Sequence, residues 1–130
     1  MLRTNEKDMA KKILVIDDDK DIRDIVIYIL GEAGYEVIAS GDSAILSSIN
    51  DVNPDIVLLD NWLTEWKSDA NGAQLSRELK SNPATSHIPV IIISAVNNIK
   101  EIAEEGLADA YLKKPFDVDA LLAMVKKHIM

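Results

Sequence analysis

Ile13-Leu14-Val15-Ile16-Asp17-Asp18-Asp19 sets four consecutive apolar residues, three of them β-branched, directly against three aspartates. So short and continuous an apolar run suits a strand buried on both faces. The same kind of run recurs at Ile56-Val57-Leu58-Leu59, followed by Asp60, and at Val90-Ile91-Ile92-Ile93, followed by Ser94. Weaker strands are expected at Glu36–Ala39 and Ala110–Leu112. Between them the apolar spacing becomes helical. Ile22, Ile25, Val26, Ile29 and Leu30 form one face of a first helix, which Gly31 and Gly34 are placed to end. Ala44 to Asn50 predicts a short second helix and Gly72 to Lys80 a third that buries Leu75 and Leu79. Asn97 to Glu105 predicts a short fourth. Asp117 caps a fifth that buries Val118, Leu121, Leu122, Val125 and Ile129.

Five strands alternating with five helices imply a parallel sheet covered on both faces. Right-handed crossovers then leave a doubly wound α/β fold, and five strands favour the flavodoxin-like order 2-1-3-4-5. At 130 residues the chain makes one domain, expected over residues 12–130 behind an N-terminal arm at 1–11. Apolar residues at 48% and charged residues at 28% are ordinary for a globule. There is no signal-like apolar stretch at the start and no membrane span, and the absence of cysteine fits a reducing cytoplasm. The net charge of −8 disfavours direct contact with nucleic acid.

In this fold ligands gather at the carboxyl ends of the strands, near the switch in strand order. That places Asp17-Asp18-Asp19, Asp60, Ser94 and Lys114 on one edge. Clustered carboxylates repel, and a hard cation with oxygen ligands such as Mg²⁺ relieves them. The competing reading is that Asp17 to Asp19 only cap the next helix. Asp60, directly after a buried strand, calls for a counter-charge or a metal in either case. Lys114 can pair with Asp60 or with an anion on it, or can be solvated beside Lys113. Ser94 offers a hydroxyl, or serves the turn only. Together the set suits phosphoryl chemistry with an aspartyl nucleophile. No glycine-rich nucleotide loop is present.

The stretches ILVIDDD (13–19), DIVLLD (55–60), PVIIISA (89–95) and DAYLKKPF (109–116), in this order and spacing, resemble two-component response-regulator receiver domains. The likeness runs from about Lys12 to Ile129. It implies that Asp60 accepts a phosphoryl group from a phosphohistidine on a sensor histidine kinase or His-phosphotransfer protein. It implies a Mg²⁺ (or Mn²⁺) site in which Asp18 and Asp60 ligate directly, Asp17 acts through water, and the backbone carbonyl of Trp62 completes the set. Ser94 takes the place of the switch hydroxyl, Lys114 that of the family lysine, and Tyr111 that of the switch aromatic. A surface tyrosine on an edge strand is the plainer alternative for Tyr111. Phosphorylation would change the face made by the fourth helix, fifth strand and fifth helix, for a downstream protein or a second copy of the chain. Such a domain acts on itself and is not an enzyme in the turnover sense.

The segment after Asp60 departs from the family. Thr64 stands where proline is usual, and Gly72 comes about four residues late, so an insertion is expected beside the site. It is either a plain longer loop or a docking loop with Trp66 as its anchor. Trp62 and Val96 are apolar where the family's residues influence attack of water on the acyl phosphate, which implies a long-lived phospho-form. The fourth helix also looks short. Two other functions compete. One is a pseudo-receiver that only binds protein. The other is a haloacid-dehalogenase-type phosphatase, which the D-x-D within Asp17-Asp18-Asp19 resembles, although Asp21 and the lack of room for a cap domain oppose it.

Overall fold

The computed structural model describes residues 10–61 and 71–129. Most of the expected arm, together with Trp62, Thr64 and Trp66 of the expected insertion, lies outside them. Five strands form one sheet: β1 (Lys12–Ile16), β2 (Glu36–Ser40), β3 (Ile56–Asp60), β4 (Val90–Ser94) and β5 (Ala110–Lys113). All neighbours are parallel, in the order β2-β1-β3-β4-β5 anticipated from the alternating pattern. The helices are α1 (Lys20–Glu32), α2 (Ile49–Val52), α3 (Gly72–Ser81), α4 (Ile99–Glu105) and α5 (Val118–His128).

Side-chain alternation along the three central strands divides the core into two layers. Ile13, Val15, Ile56, Leu58, Ile91 and Ile93 pack with Val26 and Leu30 of α1 and Leu121 and Val125 of α5. Leu14, Ile16, Val57, Leu59 and Val90 face the other way, onto Ile49, Leu75 and Leu79. Both faces of β1, β3 and β4 are therefore dry, which is why their sequences read as unbroken apolar runs.

Four local expectations are corrected. Ile25 is 50% exposed rather than buried. The face that α1 turns to the sheet is centred on Val26 and Leu30, so Ile25 falls on its flank. Val118 is also exposed, at the first position of α5, one turn before the buried Leu121. The second helix is mostly 3₁₀, over Ser43–Ser48, with only Ile49–Val52 α-helical. Its side chains compete for the backbone: Asp42 caps the Ala44 N–H at 2.8 Å and the Ser47 hydroxyl donates to the Ala44 carbonyl at 2.8 Å. Finally, α1 runs through Gly31 to Glu32, and only Gly34, at φ 100°, takes the left-handed turn that ends it.

Candidate functional site

The carboxyl edge of the sheet gathers the residues singled out in the sequence. Asp60 is the last residue of β3 and only 4% exposed. Ser94 is the last of β4 and 1% exposed. Asp17 follows β1 directly and is buried, Asp18 is half-buried, and Lys114 follows β5. Carboxylate oxygens of Asp17, Asp18 and Asp60 come within 4.8 Å of one another. Lys114 Nζ lies 3.0 Å from Asp17 Oδ2 and 3.4 Å from Asp60 Oδ1.

The three consecutive aspartates divide their labour. Asp19 is the helix cap: its Oδ1 accepts from the Asp21 N–H at 2.9 Å and the Ile22 N–H at 3.3 Å. Asp17 Oδ1 accepts the Asp19 N–H at 2.9 Å, which leaves Oδ2 turned to Lys114. Asp18 joins the carboxylate cluster. Capping thus accounts for Asp19, and clustering for Asp17 and Asp18.

Burial on its own would lower the pKa of Lys114. The hydrogen bond to Asp17 and the charges of Asp60 and Asp17 outweigh it, and the ammonium titrates above its usual value. Among the described residues, Lys114 is the ammonium that pairs with Asp17 and Asp60 of this cluster. An oxygen-only donor set of three converging carboxylates fits a hard divalent cation.

Several supporting residues gave no signal in the sequence. Arg23 Nη1 donates to the Asp17 carbonyl at 2.8 Å, fixing the turn that carries the acidic pair. Lys113 Nζ reaches the Ala95 carbonyl at 3.1 Å and Asn97 Oδ1 at 3.3 Å, tethering the loop after Ser94. The Ser94 hydroxyl accepts the Val96 N–H at 3.3 Å. Asn61 is buried, and its carbonyl accepts the Gly72 N–H at 3.1 Å. A Cβ on Gly72 would stand 2.6 Å from Asn61 Cα and 3.0 Å from the Asp60 carbonyl oxygen. The late glycine therefore has a steric purpose: it lets α3 close onto the strand end that carries Asp60. Tyr111 is 39% exposed on the edge strand β5.

This buried acidic edge bridged by a lysine occurs on a chain whose residues 13–126 match the family described as "Response regulator receiver domain". The chain belongs to that family. It is 34% identical over 122 residues to the phosphate regulon transcriptional regulatory protein PhoB of Escherichia coli, covering 91% of this chain and 51% of PhoB. It is 34% identical over 118 residues to the DNA-binding dual master transcriptional regulator RpaA of Synechocystis, covering 88% of this chain and 47% of that protein. The chain thus spans about half the length of these curated relatives. Among solved structures, the receiver domain of NtrX from Brucella abortus matches with a TM-score of 0.77 and 37% identity, covering 89% of this chain and 96% of that one. A putative response regulator from Chloroflexus aurantiacus matches with a TM-score of 0.82 and 26% identity, covering 91% and 96%. The chain is a receiver domain of a response regulator in two-component signalling, and the phosphatase alternative falls with that assignment. Among the described residues no helix is long and apolar enough to cross a membrane.

Proposed function

We propose that Asp60 is the phosphoacceptor, taking a phosphoryl group from a phosphohistidine of a sensor histidine kinase or a His-phosphotransfer protein in the cytoplasm. The observation that carries this reading is the meeting of Asp17, Asp18 and Asp60 within 4.8 Å, with Lys114 bridging two of them. A carboxylate oxygen of Asp60 bonds to phosphorus as the bond from phosphorus to the donor imidazole nitrogen breaks. The nitrogen keeps the electron pair, and an acyl phosphate forms. Asp18, Asp60 and the backbone carbonyl of Trp62 would hold Mg²⁺ or Mn²⁺ directly, with Asp17 acting through water. When bound, the cation offsets charge on the phosphoryl oxygens.

Lys114 stands beside the attacking carboxylate, and its ammonium offsets the incoming negative charge. Ser94 supplies a hydroxyl from the neighbouring strand. As it moves toward the new phosphoryl group, Tyr111 turns inward and the face of α4, β5 and α5 changes its preference for a downstream protein or a second copy. Residues 12–130 are the working unit, with 1–11 as an arm, and the chemistry is done on the domain itself.

Incubation with acetyl phosphate and Mg²⁺, followed by intact mass spectrometry, tests this reading. One added phosphoryl group is expected in the wild type, and none in Asp60→Asn or with EDTA. An adduct that persists in Asp60→Asn overturns the assignment.

A further inference from the structure

The residue after the acceptor is held from three directions. Asn61 is 7% exposed, and its backbone N–H donates to the Ile93 carbonyl of β4 at 3.1 Å. Its own carbonyl accepts the Gly72 N–H at 3.1 Å, and its side-chain Oδ1 accepts the Ala73 N–H at 3.3 Å. The Asp60–Asn61 main chain is thereby tied to β4 on one side and to the first turn of α3 on the other. Gly72 permits the approach, since any Cβ there would meet the Asn61 backbone. The chain leaves the sheet at Asn61 and re-enters against that same residue at Gly72. The length between them can grow without pulling on Asp60 as long as this neck stays closed.

The first turn of α3 does not depend on Asn61 alone for its start. Asn71 Oδ1 caps the Gln74 N–H at 2.9 Å, in the ordinary N-cap position. A second polar side chain reaching the same turn from the adjoining strand adds a link between the two elements. We infer that Asn61 is a positioning residue for Asp60, holding the acceptor carboxylate in place by closing the neck between the end of β3 and the start of α3. This rests on Asp60 being the phosphoacceptor. In-line transfer tolerates little displacement: a misplacement of about 1 Å costs up to about a hundredfold in rate. The more residues the sequence places between Asn61 and Gly72, the more a closed neck matters to Asp60.

The test compares phosphorylation of the full chain by acetyl phosphate and by phosphoramidate, in Mg²⁺, for wild type, Asn61→Ala and Asn61→Asp, with far-ultraviolet circular dichroism as the check on folding. Asn61→Ala is expected to stay folded and to gain the phosphoryl group about tenfold more slowly. Asn61→Asp keeps an acceptor aimed at the Ala73 N–H and is expected to recover most of the rate. Asn61→Ala within twofold of wild type overturns the inference, as do equal losses in the two variants, or an Asn61→Ala that does not fold. If the wild type takes no phosphoryl group from either donor, the phosphoacceptor reading itself fails and this inference with it. The two failures are therefore told apart by the wild type alone.

Discussion

Lys114 and Asp60 meet across the carboxyl edge of the sheet, Nζ to Oδ1 at 3.4 Å, and the same ammonium is closer still to Asp17, at 3.0 Å. All three side chains are largely withdrawn from water, so removing the cation leaves carboxylates facing one another in a poorly solvated crevice. Breaking a buried pair from one side costs about 3–5 kcal/mol when nothing replaces the lost charge. Lys114→Met is expected to lower stability by about 3 kcal/mol in EDTA, and Mg²⁺ to recover part of that loss. Urea denaturation of both proteins with and without Mg²⁺ checks it. An unchanged midpoint in EDTA would show that the bridge contributes nothing.

The pH dependence of that contribution follows from the direction of the shift. Burial pulls the Lys114 pKa down, but the bond to Asp17 and the charges of Asp60 and Asp17 carry it above the usual 10.5. A group whose pKa is higher in the folded state stabilises fully below its unfolded value and loses that effect as pH rises through its folded value. The stability difference between wild type and Lys114→Met should therefore be flat from pH 7 to about 10 and shrink above 10.5. A difference that shrinks between pH 7 and 9 contradicts this.

Two glycines give opposite signs. At Gly72 an added Cβ meets backbone atoms of Asn61 at 2.6 and 3.1 Å, and backbone cannot swing aside. Gly72→Ala is expected to destabilise by about 1–3 kcal/mol, the usual cost of overpacking, in spite of the better helix propensity of alanine. At Gly31, inside α1, nothing lies within 4 Å of the added carbon. Gly31→Ala is expected to stabilise by about 0.4–1 kcal/mol. Thermal melts of both variants decide it.

The central strands and their terminal acids were readable because both depend on local pattern. An apolar run buried on two faces has no polar residue to spare, so Asp17, Asp60 and Ser94 stand out at its ends. What was not readable depends on pairs distant in sequence. The Asn61–Gly72 closure joins residues eleven positions apart in sequence, and Arg23 acts on the Asp17 carbonyl from the next helix. Helix periodicity puts Ile25 on the inward face, and only the seating of α1 on the sheet, with Val26 and Leu30 inward, turns it out. The 3₁₀ stretch was missed because its cause, Asp42 and Ser47 bonding to the nearby backbone, is chemistry that apolar spacing does not register.

A divalent cation that binds only the folded carboxylate cluster must stabilise the fold by mass action. At a hundred times its dissociation constant the gain is about 2.7 kcal/mol. Mg²⁺ is expected to raise the melting temperature of the wild type, and Asp18→Asn to suppress the rise, while Asp19→Asn keeps it, because Asp19 spends its carboxylate on the α1 cap. Loss of the Mg²⁺ effect in Asp19→Asn as strongly as in Asp18→Asn would contradict this division of the acidic triplet.

The lifetime of the phospho-form provides the last test. Val96 lies two residues past Ser94, half-buried, with its N–H on the Ser94 hydroxyl at 3.3 Å. An apolar side chain there offers no acid or amide to orient a water toward the acyl phosphate. Trp62, two residues past Asp60, offers none either. Introducing a polar group that can place the water should lower the barrier to hydrolysis by about 1.4 kcal/mol, which is about tenfold in rate. Trp62→Asn and Val96→Gln are each expected to shorten the phospho-form by that factor, followed by the decay of the phosphorylated mass in the presence of Mg²⁺. Fast decay of the wild type, unchanged in both variants, would mean that water reaches the acyl phosphate by a route these two side chains do not control.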